Sequence, residues 1–166
     1  DLIKARKVYT GIKKPDHFDT NLVVIGAGSA GLVTSYIAAA VKAKVSLIEK
    51  HKMGGDCLNT GCVPSKALIR SARFLAESRN SEKYGITKSN VEFNFSDVME
   101  RVSRVVETVE PHDSIERYTG LGVDCIQGSA QILNPYEVVV NGEIITTKNI
   151  VIATGARPRI PAIKNI

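Results

Sequence analysis

The apolar residues of this chain fall into short runs, which predict strands, and longer stripes, which predict helices. Residues 22–25 form a run rich in β-branched side chains, which is typical of a strand buried in a parallel sheet. Residues 44–48, 123–128 and 150–155 have the same character. A helical pattern follows the first of these runs, so the arrangement predicts a parallel sheet flanked by helices.

Other patterns predict a hairpin and two further helices. Residues 137–140 and 143–147 are apolar segments that flank Asn-Gly, a strong signal for a two-residue β-hairpin turn. Residues 67–78 carry apolar side chains at helical spacing. A second stripe follows Ser96-Asp97, which predicts a helix capped there and kinked or ended at Pro111. The whole pattern predicts an α/β, Rossmann-like fold with a small antiparallel hairpin layer.

A glycine-rich run follows the first predicted strand directly, before a helical pattern that continues to about residue 42: Gly26-Ala27-Gly28-Ser29-Ala30-Gly31. In a dinucleotide-binding fold, Gly26 permits the tight turn, Gly28 lets the backbone approach a pyrophosphate, and Gly31 lets helix and strand pack closely. The amides at the helix start favour phosphate groups. Glu49 ends the second strand, where an acidic side chain accepts hydrogen bonds from a ribose. These features together predict a dinucleotide site.

The stretch with the most chemistry is residues 54–66, Gly-Gly-Asp-Cys-Leu-Asn-Thr-Gly-Cys-Val-Pro-Ser-Lys. On a regular helix Cys57 and Cys62 would point well apart, so a bridge between them needs a distorted backbone. The Asn-Thr-Gly between them tolerates one, and the proline predicts a helix start whose amides favour a thiolate at Cys62. This arrangement suits redox exchange. Two ordinary buried cysteines, or half of a metal site, would also fit the spacing.

Composition narrows the class of protein. The 166 residues are enough for one domain with a sizeable core, and 43% hydrophobic and 23% charged residues are close to globular values. No apolar run approaches the roughly 20 residues that a spanning helix needs. The 3 cysteines are too few for a secreted disulfide scaffold, and no signal peptide is recognisable. We therefore expect a cytoplasmic protein.

Part of the net charge of +5 lies in residues 1–20, which we interpret as a basic extension or linker. Basic segments also bind anionic lipid, so an upstream membrane-associated domain is an alternative. We expect no nucleic-acid partner, because the basic residues are not interleaved with stacking aromatics. His17, His51 and His112 are isolated and lack metal-ligand spacing, so no metal site is predicted. Cys125 is expected to be a core thiol.

The glycine run of residues 26–31, Glu49 and the cysteine segment together resemble the class I pyridine nucleotide-disulfide oxidoreductases. That family includes dihydrolipoamide dehydrogenase, glutathione reductase and mercuric reductase. The resemblance implies that the fold binds FAD, with the cysteine pair against the isoalloxazine ring. Cys57 would be the outer, interchange thiol that meets the substrate, and Cys62 the inner thiol in charge-transfer contact with the flavin. Lys66 would stabilise charge near the flavin N5.

The same resemblance implies further contacts with FAD from the strand ends and turns of the fold. Asp56 departs from the family pattern, in which an uncharged residue, often threonine, is common, so its role is open. The family's catalytic histidine lies further downstream, and His112 is therefore discounted. The implied cofactor-binding residues are Gly26, Gly28, Ser29, Ala30, Gly31, Glu49, Lys50, Gly55, Asp56, Lys66, Gly128, Ser129, Ala130, Ala153, Thr154 and Gly155.

The resemblance extends from about residue 22 to residue 161. It implies that residues 21–166 are the first part of an FAD-binding domain, without the NAD-binding and dimerisation domains of the family. We expect the chain alone to be inactive. In a homodimeric parent, electrons would pass from NAD(P)H through FAD to a Cys57–Cys62 disulfide, and on to a small disulfide or thiol-bound metal. The alternatives are a plain NAD-binding dehydrogenase domain and a non-catalytic thiol-metal binding module.

Overall fold

A computed structural model describes residues 11–163 of the chain. The strands are β1 (Thr20–Ile25), β2 (Val45–Glu49), β3 (Val123–Gln127), β4 (Gln131–Asn134), β5 (Glu137–Val140) and β6 (Glu143–Ile152). The α-helices are α1 (Ser29–Ala40), α2 (Gly55–Asn59), α3 (Cys62–Arg79), α4 (Phe95–Val109) and α5 (Ile115–Gly120). Two short 3-10 helices, Ser81–Tyr84 and Glu110–Asp113, follow α3 and α4.

The six strands form one sheet in the order β3-β2-β1-β6-β5-β4. The pairs β3–β2, β2–β1 and β1–β6 are parallel, while β6–β5 and β5–β4 are antiparallel. This arrangement confirms the predicted α/β fold with a parallel sheet and a hairpin layer. The carboxyl ends of β1, β2 and β6 therefore lie side by side, which is where ligands bind in open α/β sheets.

Alternation along the parallel strands divides the core between the two faces of the sheet. On one face, Val24 and Leu47 pack with Leu32 of α1 and Tyr118 of α5. On the other face, Val23 and Ile48 pack with valines of β5, so the antiparallel strands cover this side. Because these strand residues are fully buried, a ligand can contact the sheet only at the ends of the strands and at the turns that follow them.

The predicted strands at residues 143–147 and 150–155 are a single strand, so the predicted break between them was wrong. β6 runs for 10 residues, and its first part pairs with β5 while its second part pairs with β1. Polar residues separate the two apolar runs in the sequence, but Thr147 is buried and its hydroxyl donates to the Asn149 carbonyl at 2.9 Å. β4 was not predicted, because its side chains are mostly exposed and lack a clear alternation.

α3 starts at Cys62 with Pro64 in its first turn, as the cysteine segment predicted, and continues through the apolar pattern of residues 67–78. The predicted cap of α4 at Ser96 and Asp97 was wrong: Asn94 is the N-cap, and its Oδ1 accepts from the Ser96 amide at 3.0 Å. Since asparagine and serine are both good capping residues, the sequence alone did not decide between them. Pro111 does end this helix, as predicted, and lies in the following 3-10 helix.

The start of β1 is anchored by the segment before it. The Asp19 carboxylate accepts from the amide and hydroxyl of Thr146, at 2.8 and 2.7 Å, and the Phe18 and Tyr136 rings lie 6.0 Å apart. The first half of the predicted basic extension, residues 1–10, lies outside the described residues. Across residues 11–163, no helix is both long enough and apolar enough to cross a membrane.

Candidate functional site: a nucleotide cavity beside a dithiol

An open cavity of about 600 Å³ lies at the carboxyl ends of β1, β2 and β6. Its walls come from the first glycine turn, the segment after β2, the start of α2 and the turn after β6. The lining residues are Gly26, Gly28, Glu49, Lys50, His51, Lys52, Gly55, Asp56, Asn59, Ala153, Thr154, Gly155, Ala156 and Arg157. Most of the residues predicted to bind the cofactor are thus brought together around one space.

The first glycine turn needs two of its glycines for packing. Gly26 has φ of +104°, a conformation that side chains disfavour, and a Cβ there would collide with the carbonyl of Ala153, the residue after β6. A Cβ on Gly31 would collide with the Gly26 carbonyl. These contacts agree with the predicted roles of the tight turn and of close helix–strand packing.

Gly28 differs, because it faces space and not a packed neighbour. A Cβ added there would meet only the Gly55 Cα, at an ordinary 3.8 Å. Gly28 is also the N-cap of α1 and has no side chain to bond the first amides of the helix. Packing therefore does not require a glycine here, whereas an anionic group held against the helix start would.

A second glycine turn packs backbone to backbone against the first. Gly54 has φ of +83° and Gly55 of +53°. The Gly54 amide donates to the Ala27 carbonyl at 2.9 Å, and a Cβ on Gly55 would lie 2.6 Å from the Gly28 Cα. This contact positions the start of α2, and with it the cysteine segment, against the turn that follows β1.

Glu49 connects the first glycine turn to the segment after β2 through its carboxylate. Its Oε2 accepts from the Ala27 amide at 2.7 Å, and its Oε1 accepts from the His51 amide at 2.7 Å. Each carboxylate oxygen can accept a second hydrogen bond, so the side chain that lines the cavity can still bind a ribose hydroxyl. The predicted ribose contact remains a prediction, and the structural role of Glu49 in the turn was not foreseen.

Asn59 is a site residue that sequence reasoning did not select for binding. Its side-chain amide donates to the Met53 carbonyl at 3.0 Å and to the Gly55 carbonyl at 2.8 Å, which closes the second glycine turn. His51, Lys52 and Arg157 also line the cavity, although sequence reasoning did not select them. Their positions after the ends of strands were the only feature of the sequence that could have indicated a place in the site. Together with Lys50, these side chains give this part of the cavity a basic lining.

A smaller cavity of about 280 Å³ adjoins the first and is lined by one of the two cysteines. Cys57, Ser29 and Ala30 line it, together with residues that also line the larger cavity. The shared residues are Gly28, Asp56, Ala153, Thr154 and Gly155. The two cavities share these five residues, and we call them together the trough: Glu49 lines the larger cavity, and Cys57 lines the smaller one.

The cysteine segment has the distorted backbone that the sequence predicted. α2 ends at Asn59, Gly61 has φ of −118° and ψ of −103°, and Cys62 is the first residue of α3. The Gly61 amide donates back to the Asp56 carbonyl at 2.6 Å, which makes the turn tight. Both cysteines are thiols in this structure, with Cys57 half-buried and Cys62 exposed.

The two thiols interact with each other. The pKa of Cys57 is raised above its ordinary value, first by a side-chain hydrogen bond with Cys62, then by burial and the charge of Cys62. The Lys66 ammonium acts in the opposite direction, and the Asp113 carboxylate raises the pKa of Cys57 further. Lys66 is exposed one turn after Cys62 on α3. The second thiol of the pair therefore keeps its proton more firmly once the first is ionised.

Some of the residues predicted to bind the cofactor do not line the trough. Gly128 lies beside Glu49 through a 2.9 Å backbone hydrogen bond, but a Cβ there would meet Asn141 and Val140, so packing on the hairpin already requires a glycine. Ser129 and Ala130 follow it and do not line either cavity described above. Cys125 packs against the core, where burial raises its pKa, in agreement with the predicted core thiol.

The comparisons with known proteins agree with this geometry. The family model for pyridine nucleotide-disulphide oxidoreductase matches residues 20–166. Dihydrolipoyl dehydrogenase from Acholeplasma laidlawii is 36% identical over 146 residues, which are 87% of this chain and 43% of that protein. Mercuric reductase from Staphylococcus aureus is 32% identical over 145 residues, covering 87% of this chain and 26% of that protein.

A solved structure has the same fold. The Cu(II) complex of the HOCl-induced flavoprotein disulfide reductase RclA from Escherichia coli superimposes with a TM-score of 0.69 and 27% identity, over 86% of this chain and 29% of that one. The chain belongs to the pyridine nucleotide-disulphide oxidoreductase family, as its residues predicted. It spans less than half the length of the curated relatives described above.

Family membership and the flavoprotein neighbour confirm FAD as the cofactor of this fold, with NAD(P)H as the family's partner substrate. The site fits that cofactor on its own geometry. Gly28 leaves room at an uncapped helix start for a pyrophosphate, and the Glu49 carboxylate has lone pairs left for a ribose. Cys57 lines the adjoining cavity, whereas Cys62, the thiol expected to contact the flavin, lines neither of the two cavities described above.

Proposed function

We propose that this chain is the FAD-binding portion of a flavoprotein disulfide oxidoreductase whose working group is the Cys57–Cys62 pair. The observation that carries the proposal is that Cys57, a thiol of a tightly turned Cys-x4-Cys segment, lines a cavity that shares five residues with the nucleotide cavity. A plain dinucleotide-binding domain does not need this pair. Bound FAD would supply two-electron transfer between a nicotinamide nucleotide and the thiols.

The glycine turns and Glu49 would hold the cofactor. We assign the pyrophosphate to the start of α1, where Gly28 leaves space, and a ribose to the Glu49 carboxylate. Thr154 and Gly155 line both cavities and would form the wall between the nucleotide and the thiols. Lys66 would stabilise negative charge on this side, since it already favours the ionised form of Cys57.

The cysteines would exchange with a substrate disulfide in two steps that balance. In the reduced pair, the Cys57 thiolate attacks one substrate sulfur, which breaks the substrate S–S bond and forms a mixed disulfide. The first substrate thiolate leaves and takes up a proton. The Cys62 thiolate then attacks the Cys57 sulfur, so the second substrate thiol is released and the Cys57–Cys62 disulfide forms. The substrate is reduced by two electrons and the cysteine pair is oxidised by two.

A second candidate substrate is a thiol-bound metal ion. The similarity to the mercuric reductase of Staphylococcus aureus favours it, and the same dithiol would bind a soft metal through its thiolates. Among residues 11–163, no group of three or more His, Cys, Asp or Glu side chains is arranged to hold a metal ion, so the pair itself would be the ligand. Assays of the full-length protein with lipoamide and with Hg(II) separate the two substrates.

The deciding experiment concerns the cysteine pair in the full-length protein. Thiol counting before and after reduction, followed by peptide mapping, should find a reversible disulfide between Cys57 and Cys62. Cys57→Ser and Cys62→Ser should each abolish NAD(P)H-dependent turnover, whereas the matched control Cys125→Ser, in the core, should retain it. If both cysteines stay reduced under oxidant, or if either variant keeps full turnover, the proposal is wrong.

The remaining proposals concern the intact protein. We propose that it is a homodimer and that its substrate is a small molecule. We also propose that it is cytoplasmic and that it is reduced by NADH or NADPH. Size-exclusion chromatography with light scattering tests whether the protein is a homodimer. Stopped-flow reduction with each nucleotide shows whether NADH or NADPH is the reductant.

A further inference from the structure

Asp56 lies where the two cavities of the trough meet. It lines both of them, and so does Gly28, the glycine that leaves space at the start of α1. Asp56 directly follows Gly55, whose Cα would lie 3.8 Å from a Cβ added to Gly28. Because consecutive Cα atoms are about 3.8 Å apart, the Asp56 Cα lies within about 8 Å of that position. The Asp56 side chain and an anionic group at the start of α1 would therefore share one space.

The backbone of Asp56 is held in place, and its carboxylate is left accessible. The Asp56 carbonyl accepts from the Thr60 amide at 3.0 Å and from the Gly61 amide at 2.6 Å. The side chain is exposed. Within residues 11–163, its one hydrogen-bond partner is the Thr60 hydroxyl, which donates to Oδ1 over a long 3.5 Å. Most of the acceptor capacity of this carboxylate is therefore available to a ligand.

The charges around this space are unfavourable for a pyrophosphate. Each phosphate of that group is negative, and the Asp56 carboxylate adds a further negative charge. Among the described residues, no basic side chain lines the smaller cavity, and no lysine, arginine or histidine forms an ion pair with Asp56. The start of α1 contributes only roughly half a positive charge. Since about 8 Å is one Debye length at physiological ionic strength, dissolved salt screens the repulsion only in part.

We propose that the Asp56 carboxylate and the pyrophosphate of bound FAD together hold a divalent cation, with Mg²⁺ as the expected ion, and that FAD binding in this protein depends on that cation. Mg²⁺ is bound by one or two carboxylates together with ligand phosphates, and it keeps several waters. Such a site needs no cluster of three protein ligands, and residues 11–163 contain none. A threonine, which is common at this position in the family, would create no such repulsion. The inference rests on the proposed assignment of the pyrophosphate to the start of α1.

The first measurement follows the release of FAD from the full-length holoprotein. The protein is diluted into buffer with EDTA or with excess magnesium chloride, the two buffers being matched in ionic strength with potassium chloride. The change in flavin fluorescence gives the dissociation rate. Wild-type protein should release FAD roughly two- to thirtyfold faster in EDTA, which is the effect of one uncompensated charge at about 8 Å for dielectric constants between those of water and of a protein surface.

Two substitutions remove the charge, and a third is the control. Asp56→Asn should make the release rate independent of Mg²⁺, and in EDTA it should retain FAD longer than wild type does. Asp56→Thr should behave in the same way, and it replaces the asparagine variant if that protein does not accumulate. Glu143→Gln removes an exposed carboxylate that lines neither cavity, and it should keep the wild-type response to Mg²⁺.

A second measurement locates the cation with Mn²⁺ as a paramagnetic probe. Mn²⁺ bound beside the pyrophosphate should broaden the phosphorus NMR resonances of FAD in the wild-type holoprotein. At the same Mn²⁺ concentration, the broadening should be much weaker in Asp56→Asn. This measurement depends neither on turnover nor on the state of the dithiol.

The inference is overturned if wild-type protein releases FAD at the same rate in both buffers, which is expected if the basic side chains of the larger cavity neutralise the pyrophosphate. It is also overturned if Asp56→Asn releases FAD faster than wild type in EDTA, because the carboxylate would then bind a hydroxyl group of the cofactor directly. Failure of the pyrophosphate assignment gives a different result, since Gly28→Ala would then retain its flavin. If the redox proposal fails, no Cys57–Cys62 disulfide forms, while the effect of Mg²⁺ on FAD release remains.

Discussion

A side chain at Gly31 would collide with the carbonyl oxygen of Gly26, so the contact between these two glycines sets how closely α1 packs on β1. Gly28 lies between them and has no such restriction, because its own Cβ would meet only the Gly55 Cα at 3.8 Å. Gly31 is therefore required for the packing of the fold, whereas Gly28 leaves space for the ligand.

The two glycines should separate stability from binding. Gly31→Ala forces backbone apart in the core and should cost roughly 2–4 kcal/mol, seen as a lower thermal unfolding midpoint and little soluble protein. Gly28→Ala should change stability by less than about 1 kcal/mol, the difference between glycine and alanine at an N-cap. It should nevertheless reduce the flavin absorbance of the purified full-length protein. A Gly28→Ala protein with full flavin content would contradict the assignment of the pyrophosphate to this turn.

The second prediction concerns the second glycine turn. Asn59→Leu removes both hydrogen bonds from the side chain to the Met53 and Gly55 carbonyls and should cost about 1–3 kcal/mol. Because this turn positions the cysteine segment, both flavin content and the rate of Cys57–Cys62 disulfide formation should fall. The matched control is Asn80→Leu, whose side chain donates to a carbonyl at the exposed end of α3. Equal effects of the two substitutions would show that Asn59 has no special role.

The sequence predicted the parallel strands and the glycine roles because each depends on neighbours that are close along the chain. The runs at residues 22–25 and 44–48 and the Gly26 turn are of this kind, and the structure contains all three. The contact between Gly28 and Gly55 was not predictable, since it joins two turns that only the folded sheet brings together.

Longer-range features were missed for the same reason. Residues 110–115 were interpreted as scaffold, and His112 was discounted because the family's catalytic histidine lies further downstream. In the structure, Ile115 and Met53, which precedes the second glycine turn, line one small cavity. The continuity of β6 was also missed, because its two parts pair with two different strands, β5 and β1.

The third prediction tests the two roles of Glu49. In Glu49→Gln, the side-chain oxygen can accept from either the Ala27 or the His51 amide, but the new NH2 group faces the other donor. We expect a loss of roughly 1–3 kcal/mol in stability and a weaker hold on FAD, measured by thermal unfolding and by flavin release on dialysis. Glu143→Gln changes an exposed carboxylate and is the control. Flavin retention equal to that of the control would contradict the ribose assignment.

The fourth prediction concerns pH and the anchor of β1. The pKa of Asp19 is lowered from 3.8, chiefly by the backbone hydrogen bond from Thr146 and then by its hydroxyl. A lowered pKa in the folded state means that the carboxylate stabilises the fold above pH 3.8 and loses that effect as the pH falls through the folded-state pKa. Asp19 is exposed, so the stabilisation is at most about 1 kcal/mol.

Hydrogen exchange of the full-length protein measures this local effect. At neutral pH, Asp19→Asn should speed exchange of the Thr146 amide relative to wild type, because the amide loses its charged acceptor. The two proteins should converge as the pH falls below the folded-state pKa of Asp19, where wild type is also neutral. Asp16→Asn, an exposed carboxylate in the same segment, should match wild type throughout. A difference between Asp19→Asn and wild type that persists undiminished at low pH would assign the effect to the shape of the side chain and not to its charge.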